Sequence, residues 1–369
     1  MGLFVLIFGT AMTKKLIIIG NGLGMALDPD HFSLMKAMTR VWESGTLSTK
    51  EKELIGALEG IETETGPTSE EELISTQIAL TLLSDFRSRL GKEALDTWFT
   101  ADAKDFPNTL RKYIFEVAHE LYSYEISAEK AKQWQAFTQN LISFIVTTLS
   151  HVATLNYDDL LYEKIVNGVE MPDGTLLRPS SRQSESGPPY TKDGFISGVF
   201  NPDCFDWNGE CGSYLHLHGT PLFVTKNRVP QKLQRHSLDY SQDTRRRHIV
   251  LANPKDKREI IDQSVILKNF WDVQLPRCIK EADEIIVFGY SGLDEHLNEL
   301  LRDEETTPKW VIEWSGSRHF SSSDEFNDEE EIEPTQFWNS ALGDNVSLIR
   351  PDDVLEFTDW ENPSDFIPF

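Results

Sequence analysis

The run Lys15-Leu16-Ile17-Ile18-Ile19 breaks into Gly20-Asn21-Gly22-Leu23-Gly24 and then into the helix-forming residues Met25 and Ala26. An apolar run of this length, rich in β-branched residues and halted by glycine, predicts a buried central strand of a parallel sheet. The glycines form the turn that follows. There they permit positive φ and close approach of a ligand, and the N-terminus of the next helix offers N–H groups and a favourable dipole to a phosphate. Gly20, Asn21, Gly22, Leu23 and Gly24 are therefore a candidate dinucleotide cradle. The plainer reading of the same residues is a tight strand-to-helix turn with no ligand.

The spacing is G-x-G-x-G and not the G-x-G-x-x-G of hydride-transfer enzymes. The acidic residue about twenty positions on is Glu43, which sits in Arg40-Val41-Trp42-Glu43-Ser44-Gly45, a helix end and not a second strand. A dehydrogenase is not the natural reading.

A chain of 369 residues can bury a large core as one elaborated domain or two. Its formal net charge of −25 argues against direct nucleic-acid binding, because phosphate contacts need a basic face. The basic trio Arg245-Arg246-Arg247 is either a local cation cluster for an anionic ligand or a solvated charge run. Cys204, Cys211 and Cys278 are too few and scattered for a disulfide framework and suit a reducing cytoplasm. The opening stretch 2–9 is apolar but lacks a basic n-region and is too short to span a bilayer, so no membrane association is expected. Met12-Thr13-Lys14-Lys15 reads as a natural start, with residues 1–11 an upstream extension.

Leu34, Met35, Met38, Val41 and Trp42 recur at helical spacing. The period stays helical over residues 48–150, which predicts a helical layer inserted between the first strand unit and the next. Within it Ser69-Glu70-Glu71-Glu72 reads as a capping box ahead of a striped segment ending near Leu90. Leu110, Tyr113, Ile114, Val117 and Leu121 form another stripe, and Trp134, Phe137, Leu141 and Phe144 a third. The sheet resumes at Val152-Ala153-Thr154-Leu155-Asn156-Tyr157-Asp158, where Asn156 and Asp158 fall beyond a strand's carboxyl end, the usual side of the ligand crevice. Residues 170–213 read as a long loop. In Tyr214-Leu215-His216-Leu217-His218-Gly219, period-two alternation puts His216 and His218 on one side, with His218 aimed at the crevice mouth. A strand is expected at 249–252, a helix at 265–280, a strand over Glu284–Phe288 halted by Gly289, a helix from Asp294 to about Leu301, and a strand at Lys309–Trp314. Residues 321–369 comprise an acidic loop and a C-terminal packing segment, whose Phe357, Trp360, Phe366 and Phe369 either dock on the core or face a partner.

Four motifs then stand in order: Gly20-Asn21-Gly22-Leu23-Gly24, Thr154-Leu155-Asn156-Tyr157-Asp158, His216-Leu217-His218-Gly219 and Val287-Phe288-Gly289-Tyr290-Ser291-Gly292-Leu293-Asp294. Together they span about residues 14–315 and resemble the sirtuin-like superfamily, the last being similar to the strand and G-x-S turn that closes that family's NAD pocket. In detail the chain resembles the bacterial sirtuin-like NAD-consuming effectors of antiphage defence, several of them encoded beside a HerA-type ATPase. The resemblance implies an α/β fold with a Rossmann-like parallel sheet over residues 12–320, NAD as substrate, and NAD+ glycohydrolase activity that depletes NAD+ during abortive infection. It also implies a cytoplasmic homo-oligomer or a complex with a HerA-type ATPase. Sirtuin deacetylases carry a four-cysteine zinc module, whereas only Cys204 and Cys211, with six residues between them, lie between the two catalytic motifs here. Structural zinc wants paired cysteines at short spacing, so no zinc module and no metal are expected.

Cleaving the nicotinamide–ribose bond asks the protein mainly to position and desolvate an oxocarbenium-like sugar, because the leaving group already carries positive charge. Asn156 can hydrogen-bond a ribose hydroxyl or the incoming water without adding charge. His218 can accept a proton from either. These two are the candidate catalytic residues and match the family's essential asparagine and histidine. Asp158 anchors a ribose contact, fixes the turn, or caps a helix. His216 is either a satisfied structural histidine or a second base. Gly289 and Ser291 belong to the closing turn, with Ser291 placed for a phosphate, and Asp294 is a helix cap first and a functional residue second. Glu313 either holds the adenosine ribose diol or is a surface glutamate. Two other readings use the same residues: an NAD-dependent deacylase or ADP-ribosyltransferase, and a catalytically idle NAD- or ADP-ribose-binding scaffold.

Overall fold

The computed structural model describes residues 13–58, 61–69, 72–73, 86, 89–181, 189–205, 210–235, 246–251, 257–320 and 331–366. The extension 1–11, the acidic run at 321–330, residues 74–85, Arg245 and Phe369 lie outside the described residues.

Leu16, Ile17 and Ile18 have no exposed surface, as expected of a strand with neighbours on both edges and layers on both faces. This strand, β1 (Lys15–Ile19), is the centre of a sheet that also contains β2 (His151–Thr154), β3 (Thr191–Lys192), β4 (Gly212–His216), β5 (Glu284–Phe288), β6 (Lys309–Ile312) and β7 (Val346–Ile349). The order is β7-β6-β5-β1-β2-β4-β3, and every neighbouring pair runs parallel. From β1 the chain passes to β2, visits the sheet edge as β3 and comes back to fill β4 between them, then crosses to β5 on the other side of β1 and moves outward through β6 and β7. The crevice between the carboxyl ends of β1 and β5 is thus the topological switch point, where open α/β sheets bind ligands.

Between β1 and β2 the described chain is helical, including Thr49–Gly56, Ala101–Tyr122 and Ala128–Thr148. The stripes led by Tyr113 and Phe137 point into the core. The complete capping box here is Ser48 with Glu51, not the expected one at Ser69. At Ser69 the hydroxyl accepts from Glu72 N, but the Glu72 carboxylate turns to Thr68 N, 2.6 Å away.

Where residues 170–213 are described, the expected loop contains short strands. Thr191–Lys192 joins the main sheet as β3, while Phe195–Ile196 and Val199–Phe200 pair as a hairpin. That hairpin extends an antiparallel sheet ordered Arg246–Ile249, Gly219–Lys226, Val229–Lys232, Val199–Phe200, Phe195–Ile196. Two-residue strands carry too little alternation to register in sequence. The strand expected at 249–252 lies earlier, at Arg246–Ile249, because a bulge between Arg247 and Ile249 shifts the register opposite Gly219. The helix expected at 265–280 is broken by a π-turn at Phe270–Gln274. Pro276, just beyond it, has no N–H to donate, and its ring crowds the carbonyl four residues earlier.

The C-terminal segment belongs to the same core, since β7 pairs with β6 and Trp360 packs on Phe137 and Phe288 at 5.7 and 5.5 Å. Among the described residues no helix is long and apolar enough to cross a membrane.

Candidate functional site

A cavity of about 890 Å³ opens at the switch point, lined from the ends of β1, β2, β5 and β6 and from the turn after β4. Its floor is made of two glycine turns in direct backbone contact. Gly22 N donates to the Gly289 carbonyl at 2.7 Å, and Gly20 N donates to Phe288 O at 2.9 Å. A Cβ on Gly20 would stand 2.5 Å from the Gly289 oxygen, and one on Gly22 would stand 2.6 Å from Gly289 Cα, so only glycine permits this approach. The outcome differs from the sequence expectation in one respect. The amides of Gly20 and Gly22 are engaged by the neighbouring turn, and the helix that follows, Gly22–Leu27, has only six residues.

Of the candidate residues, Gly20, Asn21, Gly22, Asn156, Asp158, His218, Gly289, Ser291 and Glu313 line the cavity, and Leu23 and Gly24 do not. Leu23 points into the core with no exposed surface, and Gly24 backs onto the Phe32 ring, which a Cβ would approach to 2.6 Å.

Asn156 follows β2, and its N–H donates to Thr154 Oγ1 at 3.1 Å. Its amide also hydrogen-bonds the Asp158 carboxylate, while its Oδ1 is buried with no partner among the described residues. A buried acceptor with nothing to accept is costly in an interior and useful at a binding site. Asp158 lines the cavity and fixes the turn ahead of the helix Leu160–Asn167, accepting from Leu160 N at 3.0 Å. Burial pushes its carboxyl up to about 7, although the bonds from Leu160 and Asn156 pull the other way.

His216 and His218 do not share a side. β4 ends at His216, and Gly219, at φ +78°, turns the chain back into the antiparallel sheet. His218 lies in that turn, which is held by Val250 N donating to His218 O at 2.9 Å and by Trp271 Nε1 donating to Leu217 O at 2.8 Å. The His218 ring reaches the cavity, while His216 is enclosed by Tyr162, Tyr214 and Phe223, with ring centroids 4.9 to 5.4 Å away. Among the described residues neither ring nitrogen of His216 has a partner, which departs from the satisfied structural histidine of the sequence reading.

The structure adds two charged groups at His218. Nε2 stands 3.0 Å from Asp294 Oδ2 and 3.4 Å from Lys257 Nζ, and Lys257 Nζ is 3.2 Å from the same carboxylate oxygen. Burial and the Lys257 ammonium hold the imidazole below its ordinary range against the pull of Asp294. Burial would raise the Asp294 carboxyl, but the hydrogen bond from His218, with the charge and hydrogen bond of Lys257, holds it well below the usual carboxylate range. Asp294 also caps its helix, accepting from Leu297 N at 3.3 Å, and Tyr290 Oη accepts from Asp294 N at 2.7 Å. Lys257 carries no sequence signal, because it stands 39 positions from His218 in no recognisable motif.

Glu313, at the opposite end, is buried and not a surface glutamate. Its Oε2 accepts from His319 Nε2 at 2.9 Å and from Trp338 Nε1 at 3.0 Å, and Arg350 Nε lies 3.0 Å from Oε1. Cys204 and Cys211 are buried thiols, with Cys204 pushed up to about 11 by burial. Among the described residues no group of His, Cys, Asp and Glu is arranged to hold a metal ion. No family model matches the chain, and no curated protein matches it either.

Proposed function

We propose that this α/β chain is an NAD+ glycohydrolase, releasing nicotinamide and ADP-ribose. The observation that carries the reading is the convergence of Asn156 and His218, 62 positions apart in the sequence, on one cavity floored by the paired glycine turns. In the reaction the glycosidic bond breaks with its electron pair passing to the nicotinamide nitrogen. The oxygen of water bonds to ribose C1′, and His218 takes the water's proton. Asn156 Oδ1, left without a partner by the fold, supplies a neutral acceptor for a ribose hydroxyl or for that water. The buried, largely apolar walls exclude competing water, and Glu313 supports an adenosine ribose at the far end.

The test is nicotinamide release from NAD+ by the purified chain, followed by chromatography, beside Asn156→Ala and His218→Ala. Turnover lost in both variants supports the proposal, and full turnover in both ends it. Release that depends on an acylated peptide would assign a deacylase or transferase instead. Tight NAD+ binding without cleavage would assign a scaffold.

The sequence resemblance extends the proposal to an antiphage effector that depletes NAD+ as a homo-oligomer or with a HerA-type ATPase. Cellular NAD+ falling after infection only when His218 is intact is the result expected of that role.

A further inference from the structure

Lys257, Asp294 and His218 are 5, 3 and 7 % exposed, so three ionisable groups share one nearly dry corner of the cavity. They meet as a triangle, with His218 Nε2, Asp294 Oδ2 and Lys257 Nζ separated by 3.0, 3.2 and 3.4 Å. Each comes from a different part of the fold: the turn after β4, the cap of the helix Glu295–Asp303, and the first residue of the helix Lys257–Asp262. A backbone hydrogen bond at Leu155 holds the imidazole as well. Other titratable groups on the surrounding elements are Tyr157, whose ring lies 6.2 Å from the imidazole, Asp158 on the cavity wall, and Tyr290, whose hydroxyl accepts from Asp294 N at 2.7 Å, while the two helices also carry Arg258, Glu259, Asp262, Glu295 and His296.

We infer that Lys257 is a positioning residue whose ammonium supplies the countercharge of Asp294, leaving His218 as a neutral imidazole available to accept a proton. The argument is one of charge balance in a buried place. A lone carboxylate beside a buried imidazole draws a proton onto the ring, because an ion pair is cheaper there than an isolated anion. An imidazolium made that way can accept nothing. With Lys257 present the carboxylate is already balanced, and a second positive charge on His218 would stand 3.4 Å from the first. Asp294 in turn keeps a bare ammonium from facing the cationic sugar that develops when nicotinamide leaves. Both line the cavity, and the roles assigned to them here act through the ring.

The kinetic arm of this proposal rests on the NAD-cleaving reading, and the titration arm does not. The experiment follows the His218 ring resonance of the whole chain by NMR as pH is varied, assigned by its loss in His218→Asn. In Lys257→Met the ring is expected to titrate about 1 pH unit or more higher than in the parent, with Lys257→Arg staying near the parent. Asp294→Asn is expected to move it the opposite way, which keeps the idea testable if the methionine variant does not fold. Where NAD+ is cleaved, the acid limb of the kcat/KM profile should rise with the ring in Lys257→Met, with activity recovering toward alkaline pH. An unmoved titration, or a loss equal at every pH with the limb in place, overturns the assignment. A titration that moves as expected in a chain that never cleaves NAD+ upholds the clamp and removes the hydrolase.

Discussion

The wall between the two sheets and the floor of the cavity each hold a buried histidine, His216 in the first and His218 in the second. His216 sits among aromatic rings, and burial dominates there, pushing the imidazole down to about 3, while Asp193 pulls up and Lys232 pushes down without bonding the ring. His218 sits against Asp294 and Lys257, so that burial and one cation oppose one anion. The same side chain is therefore filler in one place and, in the proposed reaction, a proton acceptor in the other. Burial keeps an imidazole neutral, but only a charge pair in direct contact with the ring makes that neutrality adjustable. The divergence arises in the backbone, where the strand stops at His216 and Gly219 takes the chain out of the two-residue alternation.

The sharpest way to break this contrast is to exchange the consequences of the two sites. His218→Ala is expected to lower NAD+ turnover about 10²- to 10⁴-fold, the usual worth of a positioned acid–base group, measured as nicotinamide release. Asn156→Ala should lower it about 10²-fold through lost positioning. His216→Phe should leave turnover at the parental rate. Equal losses at 216 and 218 would mean that the two histidines do not differ in kind.

A second prediction concerns the turn that separates them. A Cβ on Gly219 would lie 1.8 Å from the His248 carbonyl oxygen at a φ of +78°. Gly219→Ala should therefore cost about 1–3 kcal/mol or more in a urea titration. It should also cost activity, because Ile249 and Val250 on the facing segment hold the His218 backbone.

Smaller effects are expected at His216 itself. Phenylalanine fills the same aromatic nest without two unpartnered nitrogens, so His216→Phe should change stability by no more than about 1 kcal/mol, in the stabilising direction. Its pH dependence gives the sign. The unfolded histidine binds its proton near 6.5, whereas the folded one resists until about 3. Between those values the unfolded chain holds more protons, so the parental stability contribution is intact above 6.5 and is lost as pH falls toward 3. The phenylalanine variant should lose stability less steeply over that window in acid titrations read by circular dichroism.

What the amino-acid order determined was local and periodic. Leu16–Ile19 stopped by glycine could only be a strand buried on both faces, and the helical stripes at Tyr113 and Phe137 could only face a core. The glycine turns, Asn156, Asp158 and His218 were legible because each follows a strand at its carboxyl end. The short strands at 191–200 were not, since two residues carry no period. Nor was the opposite fate of His216 and His218, which a two-residue alternation assigns to one side until a turn intervenes. Lys257 entered the site only through tertiary structure, as did the pairing of Asp294 with His218 and the burial of Glu313. Their partners lie 39, 76 and as few as 6 positions away, and a charge interaction depends on distance and burial in space, which separation along the chain does not encode.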